Sequence, residues 1–170
     1  EKKMGKGTNG ILDLDAPAMG SSVKLTHNDA NGNTEQRFKA ADNVTVYAGD
    51  KTYIGTKGSK DGALRNAGGS GSINFGTRHP QFFEVLFTDG KGNYILEHPL
   101  DKDELYLKLK DRKEAIYLGD KALLGTRSEK KRIKLTAEYL NKPSMDAAKY
   151  DTRTKEGLQQ LIADYTDTEK

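Results

Sequence analysis

Between residues 10 and 38 the side chains that can be buried fall in three short runs, Ile11 to Leu14, Val23 to Leu25 and Gln36 to Phe38. Turn-forming residues fill both gaps: Pro17, Gly20, Ser21 and Ser22 in the first, and Asn28, Asp29, Asn31, Gly32 and Asn33 in the second. In the middle run Val23 and Leu25 alternate with Lys24 and Thr26, which is the period of a strand with one buried face. This pattern predicts strands joined by tight turns and excludes a helix here.

The same pattern continues downstream. Val44, Val46 and Ala48 alternate with Thr45 and Tyr47, Gly49-Asp50 turns the chain, and Thr52-Tyr53-Ile54 begins a second unit. Gln81 to Phe87 is the most apolar strand; Asp89-Gly90 after it is a strong hairpin signal, and Tyr94-Ile95-Leu96 returns. In a third unit Leu105, Leu107 and Leu109 alternate with Tyr106, Lys108 and Lys110, followed by Ala115 to Leu118, Ala122 to Leu124 and Arg132 to Leu140. With Ile73-Asn74-Phe75 read as a strand of the second unit, the strand candidates fall into three groups of four.

The first unit resembles one repeat of the ricin-type, or QxW, β-trefoil lectins, on Leu12-Asp13-Leu14, Val23-Lys24-Leu25 and Gln36-Arg37-Phe38. A second Gln-x-Phe, at Gln81 and Phe83, follows at about the length of a trefoil repeat. The resemblance implies an all-β fold, a β-trefoil of twelve short strands in three units with a C-terminal α-helix. It also implies a carbohydrate site at Asp13, Lys24, His27, Glu35 and Gln36, with Asp13 accepting from sugar hydroxyls. The stacking aromatic of the family is missing, with Thr26 and His27 at its place, and Glu35 stands where the family has asparagine.

A second internal repeat competes with the three-fold one. Tyr47 to Lys57 and Tyr117 to Arg127 share Tyr, Gly-Asp-Lys and Gly-Thr. Either two hairpins converged on one good turn, or the chain is another β-barrel built from two halves.

From Ser144 onward Leu158, Leu161, Ile162 and Tyr165 recur at three- and four-residue steps, which predicts an amphipathic helix with a break near Gly157. The chain is therefore divided into a leader (1–9), a trefoil-like domain (10–141) and a C-terminal helical segment (142–170). Beginning at Glu1, it reads as a processed product or part of something longer.

Several function classes are disfavoured. No apolar run approaches the roughly 20 residues of a membrane span. A net charge of +3 over 28 basic and 25 acidic side chains is no polycation, which argues against nucleic acid as a partner. With no cysteine, thiolate metal sites and disulfides are absent. The loop at Asn28 to Asn33 lacks the glycine and glutamate of a calcium-binding EF-hand loop, and the glycine cluster at 67–72 leads into Ile73-Asn74-Phe75 without a Gly-Lys-Ser/Thr ending. His27, His79 and His98 stand in turn-like surroundings with no nucleophile or ligand spacing, so no catalytic residue, metal or cofactor is assigned. The densest charge cluster runs from Arg127 to Lys134; it reads either as a solvated strand edge or as a contact for sulfated glycans. The expected function is a non-catalytic, lectin-like module, secreted or at the cell surface, that attaches to glycans. The alternative is a protein-interaction or inhibitor module using the 55–72 loop and the C-terminal helix.

Overall fold

A computed structural model describes residues 11–13, 20–29, 32–59, 79–142 and 144–167, with the backbone alone at 11–13, 27–29 and 123. The architecture is mixed α/β and not a trefoil. Strands β1 (Ile11–Asp13), β2 (Ser22–Asp29) and β3 (Gly32–Lys39) form an antiparallel ribbon. Strands β4 (Thr45–Ala48), β5 (Lys51–Ser59), β6 (Gln81–Thr88), β7 (Tyr94–Glu97), β8 (Glu104–Lys108) and β9 (Glu114–Asp120) follow one another in a meander. The second half of β5 pairs in parallel with β9, Lys57 opposite Glu114, and closes β5 to β9 into a five-stranded barrel. Helices α1 (Arg127–Tyr139) and α2 (Lys155–Thr166) complete the chain.

Three apolar layers follow from strand alternation. Ile54, Phe83, Leu96, Tyr106, Ala115 and Tyr117 fill the barrel. Phe87, Ile95, Leu107 and Leu109 point outward and pack against Ile133 and Ala137 of α1 and Leu161, Ile162 and Tyr165 of α2. Val23, Ala40, Val46 and Phe82 join the ribbon to the barrel. There Gly55 is required: a Cβ on it would lie 2.6 Å from the carbonyl oxygen of Ala40.

The three-unit expectation fails at its third unit. Arg132 to Leu140 is helical, and Ala122 to Leu124 lies in and just after a 3-10 turn (Lys121–Leu123), so four strands are not available there. Thr126 caps α1 by accepting from the Glu129 N–H at 3.2 Å. The two Gln-x-Phe phenylalanines are not equivalent either. Phe83 is fully buried inside the barrel, whereas Phe38 is half-buried beneath the ribbon. The Gly-Asp-Lys repeat also marks two unlike places. Gly49 (φ 62°) turns the β4–β5 hairpin beside a Tyr47 that is 74% exposed, while Gly119 (φ 129°) lies within β9 after a buried Tyr117. The barrel is thus a single meander and not two halves.

The C-terminal helix is shorter than its sequence pattern suggests. Asp146 caps a 3-10 turn, accepting from the Ala148 N–H at 3.0 Å, and Thr154 starts α2 by accepting from the Gly157 N–H at 3.0 Å. Gly157 does not break the helix; it belongs to its first turn, where a Cβ would strike the carbonyl oxygen of Asp151. The residues of the 55–72 loop beyond Ser59 lie outside the described residues. No helix among the described residues is long and apolar enough to cross a membrane.

Candidate functional site

The five residues of the expected sugar site lie on the ribbon but do not converge. Register places Asp13 opposite Lys24, Thr26 opposite Glu35, Leu25 opposite Gln36 and His27 opposite Thr34. Val23 and Leu25 are buried, so Lys24 faces the other way, and its Nζ donates to Glu35 Oε1 at 2.9 Å. Gln36 follows Glu35 directly and therefore projects to the opposite face. Asp13, Lys24 and Glu35 are neighbours, whereas Gln36 and the His27 position belong to the other register set. The ammonium of Lys24 is engaged by a carboxylate across the strands.

A second arrangement lies on α1. Ile133, Thr136 and Ala137 are buried against the barrel. The Glu129 carboxylate is buried too, accepting from the Gly125 N–H and the Thr152 hydroxyl, and so fixes the start of the helix to the segment before α2. With one face fixed in this way, Arg127, Lys130, Lys131 and Lys134 are all exposed. At 1.5 Å per residue they occupy about 10 Å of helix. None of the four takes part in an ion pair among the described residues.

This charge order runs against the helix dipole. Cations belong at a helix C-terminus, yet the last turn of α1 has none and Arg127 is its first residue. The dipole penalty, about 0.3–1 kcal/mol, falls on Arg127 in the first turn, and the like charges of Arg127, Lys130, Lys131 and Lys134, three and four residues apart, add to the cost. Helix stability therefore does not account for the basic face. The expectation of a strand edge is corrected by the same observation: the run is helical and its backbone groups are internally bonded.

A buried polar group closes one end of the barrel. His98 is fully buried, and its Nδ1 accepts from the backbone N–H groups of Leu100 (3.3 Å) and Asp101 (3.0 Å), which leaves Nε2 as the donor of the neutral ring. Its ring centroid lies 5.3 Å from that of Phe83 and 6.1 Å from that of Tyr106. The Tyr106 hydroxyl donates to buried Glu104 at 2.8 Å, and the Tyr117 hydroxyl to Asp120 at 2.6 Å. Burial, with Asp120 as acceptor, pushes the Tyr117 phenol well above its ordinary range. With His98 and Tyr106 wholly enclosed, these groups shape the barrel end and offer no open surface to a substrate.

In sequence alone His98 reads as a turn residue and Tyr106 as facing solvent. β8 is buried on both sides, Glu104 and Tyr106 toward the lumen and Leu105 and Leu107 toward the helices, and alternation cannot reveal a second buried face. No family model, curated protein or solved structure matches this chain.

Proposed function

We propose that the protein is a non-catalytic binding module that attaches to a sulfated glycan of a cell surface or matrix through the exposed face of α1. The observation that carries this reading is the set of four cations, Arg127, Lys130, Lys131 and Lys134, unpaired among the described residues and set at helical spacing on a face that helix energetics disfavour. A linear polyanion meets such a stripe with several weak contacts at once, and its repeating charge supplies the avidity that one contact lacks. The ribbon gives less support to a neutral-sugar site, because Gln36 and Glu35 project from opposite faces. The protein-docking alternative is weakened by the burial of Leu161, Ile162 and Tyr165 of α2 in the molecule's own core.

Retention on immobilised heparin, with the salt concentration of elution as readout, tests the proposal. The native protein is expected to be retained and to elute with added salt, while a Lys130→Ala/Lys131→Ala/Lys134→Ala variant flows through with unchanged circular dichroism. Equal retention of the variant, equal binding to duplex DNA, or binding only to neutral galactosides with loss in Asp13→Ala would overturn it.

A further inference from the structure

A groove of about 670 Å³ runs between α2 and the two turns at the opposite end of the barrel from His98. That volume is in the range of small-ligand sites. Its lining includes Leu109, Leu140 and Tyr165, and the Tyr165 hydroxyl already donates to the Ile133 carbonyl at 3.0 Å. Tyr165 and Leu109 are nearly buried and the phenol is already engaged, so what the groove offers a ligand is chiefly its charged rim.

One wall is basic and held in place. Lys91 stands on the β6–β7 turn, and Lys110 and Arg112 on the β8–β9 turn with Asp111 between them, so cations outnumber carboxylates on this side. Asn93 ties the turns together: its amide donates to Asp89 Oδ2 at 2.6 Å, and its Oδ1 accepts from the Lys110 N–H at 3.0 Å. The Arg112 guanidinium lies 5.0 Å from the centroid of the Tyr139 ring. None of these three cations is in an ion pair among the described residues.

The facing wall is acidic. It is the end of α2, with Asp164, Asp167 and the negative pole of a helix whose last turn has no basic residue, and among the described residues Lys142 is the one cation that lines the groove beside them. Asp164 is hydrogen-bonded by neutral donors, the Tyr150 hydroxyl at 2.5 Å and the Gln160 amide at 2.8 Å, and is in no ion pair among the described residues. The two walls do not pair with each other across the groove.

We infer that this groove binds a short zwitterionic peptide, its carboxylate toward Lys91, Lys110 and Arg112 and its ammonium toward Asp164 and Asp167. The excess of positive charge lies at the turns and that of negative charge at the end of α2, so a ligand carrying both charges, oriented along the groove, meets the better partner at each end. The inference is independent of glycan binding at α1.

Titration of the full chain with the dipeptide alanyl-leucine, followed by amide chemical shifts and calorimetry, tests it. Shifts are expected at the two turns and the end of α2. N-acetylation or C-terminal amidation of the dipeptide is expected to weaken binding by about tenfold or more, since each removes one charge-assisted contact. Lys110→Ala should abolish the preference for a free carboxylate, and Asp167→Asn the preference for a free amine. Equal binding of either blocked peptide, or no shift at millimolar concentration, overturns the inference, and the α1 triple variant should bind the dipeptide normally.

Discussion

The Arg132 guanidinium lies 4.9 Å from the centroid of the Tyr117 ring, so a cation of α1 covers an aromatic residue of β9. Gly119 makes this approach possible, since a Cβ there would lie 2.8 Å from Arg132 Cδ and its φ of 129° is one that other residues rarely adopt. Gly119→Ala is expected to lower stability by about 1–3 kcal/mol through the backbone conformation. Arg132→Ala is expected to cost about 0.5–2 kcal/mol through the lost cation–π contact. Urea midpoints of the two variants and the double variant check this. Removal of Arg132 should relieve part of the cost of Gly119→Ala, and strict additivity would show that the arginine side chain does not press on that position.

Phe83 and Phe38 should respond very differently to truncation. Phe83 is enclosed by the barrel, with its ring centroid 5.0 Å from that of Tyr106, so Phe83→Ala is expected to cost about 3–5 kcal/mol. Phe38 is half-buried at the ribbon, and Phe38→Ala is expected to stay below about 2 kcal/mol. Equal losses in denaturant unfolding would mean that the ribbon and barrel share one core.

How much of this is legible in the sequence depends on the element. The alternation of Val44 to Ala48, the apolar run of Gln81 to Phe87 and the Asp89-Gly90 turn locate β4, β6 and the β6–β7 hairpin. The closure of β5 on β9 is hidden, because pairing between distant strands leaves no local pattern. α1 passes for a strand because Ile133, Leu135 and Ala137 happen to alternate, whereas its true buried set includes Thr136 and Glu129, which are polar. Thr126 and Glu129, spaced as in a capping box, are the signal that marks its start. At the candidate site the cations can be picked out from the sequence, but their shared face depends on that helix.

Asp89 makes the β6–β7 turn sensitive to acid. Partial burial raises its pKa, but the Asn93 amide and the N–H groups of Lys91 and Asn93 outweigh it and hold the carboxyl below its ordinary 3.8. A depressed folded pKa stabilises fully above the unfolded value, and that stability is lost as pH falls through the folded one. Asp89→Asn is therefore expected to cost about 1 kcal/mol near neutral pH, allowing for solvent screening, and progressively less below pH 3.8. Thermal melts of both proteins across that range give the comparison. A gap that widens toward acid would contradict the sign.

The basic face of α1 sets stability against binding, and a single charge reversal separates the two. Arg127 is the first residue of the helix, exposed, at the positive pole of the dipole. Arg127→Glu replaces an unfavourable charge by a favourable one, next to a helix start already capped by Thr126, and is expected to stabilise the fold by about 0.5–1 kcal/mol at low salt. The same change removes one of the four cations offered to a polyanion, so elution from heparin should shift to lower salt. Both effects should fade together as ionic strength rises, since both are Coulombic and solvent-exposed. A variant that gained stability with no loss of retention would place the polyanion elsewhere. One that lost both would mean that Arg127 has a structural partner beyond the described residues.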